Sequence, residues 1–208
     1  MRSNEKFMSK KIWLYCLFFG VLLIIFYLAS FWGTDTWKAK LPVLSAVRPF
    51  TFINQQGDSV TEETVGNKVY VAEYFFTTCK GICPRMNKNM LRVYNEFKKE
   101  DNFIILSHTV DPERDSVARM RRYADSIGVD NKKWWFLTGT KNDLYTAARQ
   151  SYLLDDQNTN KAKIEEQFIH TQLFALVDKE KKVRGIYDGL KEEELLQLMK
   201  DIRKLLSE

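Results

Sequence analysis

Two cysteines four positions apart, Cys79 and Cys83 in the stretch FFTTCKGICPRMN, carry the most reactive side chains of the sequence, and Pro84 directly follows the second. The pair admits three uses: a redox couple, a clamp for a soft metal, or two small buried hydrophobes. Thr77, Thr78, Lys80 and Gly81 are polar or small and predict an exposed turn, which speaks against simple filling. The three-residue spacer makes a wider loop than the C-x-x-C of dithiol exchangers, so both sulfurs can be aimed at a third object. Two thiolates accept copper(I) readily, and mixed sulfur and imidazole ligation stabilises copper(II).

A third ligand has few candidates, because the chain holds only His108 and His170. His170 ends a long polar stretch and, with Thr171 between, precedes the apolar run QLFALV, at a place where a thioredoxin reductase carries a proline facing its cysteines. The prolines here are Pro42, Pro49, Pro84 and Pro112, so an imidazole stands in that place and points toward metal binding. His108 lies within IILSHTV and is expected to be buried or to support the ligands from behind, with a secondary or transient metal contact left open. Cys16 falls in an apolar run, where cysteine serves as a small hydrophobe. A structural disulfide framework needs more pairs at wider spacing, since closing a tiny loop removes little entropy from the unfolded chain.

These residues are placed by alternating strands and helices. Phe50 to Ile53 and Ser59 to Thr61 read as a hairpin around Gln55-Gln56-Gly57-Asp58, and KVYVAEYFF (68–76) as a central buried strand. After Pro84, which suits a first helical turn, Met86, Met90, Val93, Tyr94 and Phe97 recur at helical spacing. Phe103 to Val110 is a second strand. Asp111-Pro112 opens a helix through Val117, Met120, Tyr123, Ala124 and Ile127. Trp134 to Leu137 is a short strand and Asn142 to Ser151 a helix; Tyr152 to Ile169 has no period and marks a functional or unstructured loop. Gln172 to Val177 and Val183 to Tyr187 form a hairpin, and Lys191 to Leu206 a closing helix. A β-α-β half followed by a hairpin and a helix is the thioredoxin-like arrangement, which puts Cys79 in a strand-to-helix turn. Backbone N–H groups and the helix dipole there are expected to favour the thiolate.

The formal charge of +5 does not indicate a polyanion partner such as nucleic acid. Arg2, Lys6, Lys10 and Lys11 against Glu5 place +3 of it before the first apolar run, leaving +2 for the rest. From Ile12 to Trp32 the chain runs 21 residues without a charge, enough to cross a bilayer as one helix. A cleaved signal peptide would have a shorter core and a better small-residue site than Leu28-Ala29-Ser30, and lipoprotein processing fits badly with Tyr15 before Cys16. The basic flank places the N-terminus in the cytoplasm. The expected organisation is a cytoplasmic N-terminus (1–11), a single transmembrane helix (12–32), a linker (33–48) and an extracytoplasmic, periplasmic domain (49–208), which together make an α/β chain with one span.

FTTCKGICP, then TVDPERDS, then a late histidine before a hydrophobic strand: this combination resembles the Sco/SenC family of membrane-anchored copper proteins, over roughly Phe50 to Leu206 and including the N-terminal span. The resemblance implies a thioredoxin-like fold, copper as Cu(I) or Cu(II) held by Cys79, Cys83 and His170, and a role in assembling the binuclear copper centre of cytochrome c oxidase. Asp111, Pro112 and Asp115 match the family's second motif, which shapes the neighbouring loop; as a local signal, DPERDS is also a helix start. His108 departs from many relatives. The expected function is that of a metallochaperone which delivers copper to, or prepares, the copper-bearing oxidase subunit, with another copper carrier or a thiol reductase as further partners. The alternative is a thiol-disulfide oxidoreductase in which Cys79 and Cys83 form a redox-active dithiol that keeps partner cysteines reduced. A peroxidase gives no reason for Cys83 or His170.

Overall fold

Along the central strand, β-branched and aromatic side chains alternate between two apolar layers, so the strand needs cover on both faces. All seven residues of this strand, Val69–Phe75, are buried. In the computed structural model, residues 3–31, 40–79, 81–155, 163–164 and 167–208 are described. Residues 32–39 of the expected span and linker, Lys80, and 156–162 and 165–166 of the expected polar loop lie outside them.

The described elements follow the order α1 (Ser3–Phe31), β1 (Ser45–Ala46), β2 (Thr51–Ile53), β3 (Ser59–Thr61), α2 (Glu62–Val65), β4 (Val69–Phe75) and α3 (Cys83–Phe97). They continue with β5 (Phe103–Thr109), α4 (Val117–Ile127), β6 (Trp134–Leu137), α5 (Lys141–Thr146), β7 (Leu173–Val177), β8 (Lys182–Asp188) and α6 (Glu192–Ser207). A π-helical turn, Ala147–Ser151, extends α5. The chain divides into two units, Met1–Lys40 and Leu41–Glu208. Within the first, Lys11–Ser30 of α1 is long and apolar enough to span a membrane, and none of it is buried among the described residues.

The second unit is built on a six-stranded sheet of order β1-β8-β7-β4-β5-β6. Strands β4, β5 and β6 run parallel, while β7 is antiparallel to β4 and β8 to β7. One face of β4 (Val69, Val71, Phe75) packs under α3, α4 and α6, whose buried residues Met86, Met90, Met120, Leu198 and Ile202 fall at helical spacing. The other face (Tyr70, Ala72, Tyr74) packs against β2, β3, α2 and α5 through Phe52, Val60, Val65 and Leu144. Each such large side chain removed from water stabilises the fold by roughly 1.5–3 kcal/mol.

The thioredoxin-like arrangement and the hairpins are those expected from the sequence. Two small pieces are additional, the one-turn helix α2 and edge strand β1 paired with Val183 and Lys182, and the helix expected over Asn142 to Ser151 ends in the π turn. Strand β1 belongs to the stretch read from the sequence as the end of a linker. Just before it, Arg184 donates to the carbonyls of Leu41 and Pro42 and forms a buried ion pair with Asp178 at 2.7 Å.

Candidate metal centre

The turn between β4 and α3 is fastened by one carboxylate. Asp115, wholly buried, accepts from the Thr77 amide at 3.1 Å, from the Thr77 hydroxyl, and from the Thr109 hydroxyl at 2.6 Å. Asp111 works through its backbone. Its carbonyl accepts from the Asp115 N–H at 2.9 Å, and its own N–H donates to Thr109 Oγ1 at 3.0 Å. The D-P-E-R-D loop therefore ties the end of β5 to the residue two places before Cys79, and it is Asp115, not Asp111, whose carboxylate makes the tie.

Cys79 follows, half-buried, its N–H donating to the Phe76 carbonyl at 3.2 Å. Cys83 is the first residue of α3 and only 5% exposed, with Pro84 in the first turn. The two thiols are free, and Cys79 is near enough to act on the Cys83 thiol. Burial, then the neighbouring Cys79, push the Cys83 thiol up to about 12, although the Phe76 backbone pulls in the opposite direction. At Cys83 desolvation of the sulfur is the largest influence, and it disfavours the thiolate.

Both cysteines open into a cavity of about 450 Å³ with largely apolar walls that include Tyr74, Phe76, Ile82, Val110 and Ile169, and His170 lies on the same cavity. The His170 ring is exposed, with Nδ1 3.2 Å from the Phe168 carbonyl. The three side chains face one space without closing on one point: among the described residues no group of three His, Cys, Asp or Glu side chains stands close enough to hold a metal. A larger cavity of about 540 Å³ is lined by Arg48, Glu62, Glu63 and Asp143 but by no sulfur or imidazole. Soft-donor chemistry is thus confined to the smaller one, whose two thiols and one imidazole suit copper by donor type.

His108 stands apart from this cavity's walls. It is wholly buried, stacked on Tyr74 (5.1 Å, 18°) and flanked by Phe52 (5.3 Å) and Tyr152 (5.1 Å). Neither ring nitrogen has a well-formed hydrogen bond among the described residues, and burial, opposed in part by the nearby Glu73 and Leu106 backbone, lowers its pKa to about 4. The burial expected from the sequence holds, and the open question of a metal contact resolves into an aromatic box with Tyr74 between His108 and the cavity.

Two residues escaped the sequence reading. Glu73, in the middle of β4, is wholly buried; its Oε1 accepts from the Ser107 hydroxyl at 2.6 Å and its Oε2 has no partner. A charge inside an otherwise apolar strand was its signal. Tyr145, on α5, hydrogen-bonds to the backbone beside His170, and nothing in the sequence marks it.

Residues 39–207 match the SCO1/SenC family. The SCO1 protein homolog of Bacillus subtilis (strain 168) is 31% identical over 168 residues, which span 80% of this chain and 86% of that protein. The structure of BsSco, described as a member of the Sco family of cytochrome c oxidase assembly proteins with a disulfide switch, superposes with a TM-score of 0.68 at 30% identity, covering 81% of this chain and 98% of its own. Arabidopsis thaliana ScoI with copper bound shares the fold at a TM-score of 0.60 and 23% identity, over 77% of this chain and 99% of its own. The cysteine turn, the D-P-E-R-D tie and the late histidine thus sit on a matching fold and within a matching sequence, and the chain belongs to the SCO1/SenC family.

Proposed function

We propose that this chain binds copper through Cys79, Cys83 and His170 and delivers it to, or prepares, the binuclear copper centre in the copper-bearing subunit of cytochrome c oxidase. The observation that carries this reading is the shared cavity: two free thiols and an imidazole on one largely apolar space. Copper is cargo here. The thiolates supply its soft ligands and the imidazole adds a donor that copper(II) needs more than copper(I), which two thiolates can hold as a linear pair. Apolar walls exclude competing water ligands. Helix α1 anchors the protein with the N-terminus in the cytoplasm and the domain outside it, where the basic flank of the apolar stretch would leave it. Another copper carrier or a thiol reductase would load or reduce the site.

By exchange with a partner disulfide, which takes up the two electrons and two protons and leaves as a dithiol, the same pair can close to a disulfide and leave no thiolate for copper. Redox state thereby gates metal binding. The test is titration of the reduced full-length chain in detergent, with and without His170→Ala. Copper(II) binding should weaken at least roughly tenfold, about 1.4 kcal/mol, copper(I) binding less, and oxidase assembly should fail in cells. Full oxidase activity with the copper(II) site lost would replace the carrier by a thiol reductase.

A further inference from the structure

We propose that Tyr145 is the positioning residue for His170: its buried hydroxyl splints the backbone on both sides of Phe168, so the imidazole is presented to the cysteine cavity before any metal arrives. The inference rests on the copper reading and deepens it.

Tyr145 is wholly buried on α5. Its hydroxyl lies 3.1 Å from the carbonyls of both Val110 and Gln167, and accepts from the Ile169 N–H at 3.4 Å. A phenol has one proton to give and lone pairs to receive, so the hydroxyl donates to one of the two carbonyls at a time, or shares its proton between them, while it accepts from Ile169. Val110 lies on the cavity wall, and the D-P-E-R-D loop begins at the next residue. The hydroxyl therefore binds the histidine segment to the strand end that also positions the cysteine turn.

Two further contacts act on the same three residues. Arg149, from the π turn, donates to the Gln167 side chain at 2.6 Å while paired with Asp155 at 2.8 Å. The Phe168 ring meets Phe76 edge-on at 4.9 Å, and the Phe76 carbonyl receives the Cys79 N–H. The segment is thus held at both walls of the cavity. His170 is the first exposed residue beyond it. Its Nδ1 contact to the Phe168 carbonyl places the ring proton there and leaves the Nε2 lone pair for a metal.

A ligand on an unpinned segment loses backbone freedom when it binds, and that loss weakens the complex. A segment pinned in advance escapes most of it. Copper(I) held by two thiolates draws little from the imidazole, so loss of the splint should register in copper(II) binding and not in copper(I) binding. A tyrosine that merely filled the core would disturb both states alike.

The experiment uses the reduced full-length chain in detergent micelles, titrated with copper(I) and copper(II), as wild type, Tyr145→Phe, His170→Ala and the double variant. Tyr145→Phe keeps the ring and removes the hydroxyl. Its copper(II) affinity should fall roughly tenfold, the scale for losing an outer hydrogen bond that orients a metal ligand. Copper(I) affinity should hold, and the double variant should bind copper(II) no more weakly than His170→Ala alone. Wild-type copper(II) affinity in Tyr145→Phe, beside a weakened His170→Ala, would overturn the splint and leave the copper reading standing. Equal loss of both oxidation states, or additive losses in the double variant, would also overturn it. An unaffected His170→Ala would remove the copper reading and this inference with it. Hydrogen exchange in the metal-free wild type supplies a measurement independent of any variant: the Ile169 amide should be protected, and rapid exchange there would sink the proposal.

Discussion

Asp115 receives both the amide and the hydroxyl of Thr77, so a single buried carboxylate fixes the approach to Cys79 from a loop 38 residues away. Asp115→Asn keeps the volume but turns one acceptor into a donor facing donors. We expect a loss of roughly 2–3 kcal/mol for the buried groups left unmatched, read by denaturant unfolding. Thr77→Val, which keeps the amide contact, should cost about 1 kcal/mol.

Burial raises Glu73 to about 7 and lowers His108 to about 4, and the consequences for stability have opposite signs. The folded state holds the Glu73 proton more tightly than the unfolded state, so its contribution is full below about 4.5 and is lost as pH rises toward about 7. His108 is neutral in the fold, so its contribution is present above about 6.5 and is lost as pH falls toward about 4. Over the shared interval the two slopes offset each other. Unfolding measured from pH 4 to 7 should therefore be nearly flat in the wild type. Glu73→Gln should uncover stability that rises with pH, and His108→Phe stability that falls with it, each by up to roughly 3 kcal/mol. Parallel curves for all three proteins would contradict this assignment.

If Cys83 ligates copper as proposed, the metal must displace the proton that burial favours on its thiol, whose pKa is pushed up to about 12. Apparent copper(I) affinity should then climb with pH through neutrality, by up to about tenfold per unit for one displaced proton. Competition titrations at pH 6, 7 and 8 would show it. A flat profile would mean that no Cys83 proton is displaced and would count against Cys83 as a ligand.

In the oxidised chain, joining Cys79 to Cys83 should abolish tight copper binding, and a dithiol reductant should restore one metal per chain. Retained binding after oxidation would take the cysteines out of the ligand set.

A reporter fused after Glu208 should be active outside the cytoplasm, and the chain should remain with membranes after a salt wash. Release of a shortened soluble form would show that α1 is removed as a signal peptide.

Much of this architecture was legible in the sequence because burial on two faces leaves long, unambiguous marks. KVYVAEYFF could only be a covered strand, and the spacing from Met86 to Phe97 only a helix face. Strand β1 left no such mark: two residues at a sheet edge are too few for a period. Helix α2, at four residues, is defined by the reciprocal Thr61 and Thr64 cap and not by an apolar stripe. At the site, the cysteines and His170 announced themselves by residue type. The role of Tyr145 did not, because its partners are backbone groups 22 to 35 residues away, and a backbone carbonyl has no sequence signature. The high pKa of Cys83 was equally hidden, since the helix end is visible in the sequence and the desolvation is not.

The antiparallel pairing of β4 with β7, Ala72 opposite Ala175, brings Cys79 to the same cavity as a histidine 91 positions later in the chain. An arrangement of that sequence separation must wait for loop closure, so the cysteine turn can be synthesised and folded locally long before the imidazole arrives. A nascent or partly folded chain can offer metal only two thiols, the set that satisfies copper(I) but not copper(II). On the proposed ligand set, the full set of donors is a late product of folding, and tight copper(II) binding should be found only in chains whose sheet is complete.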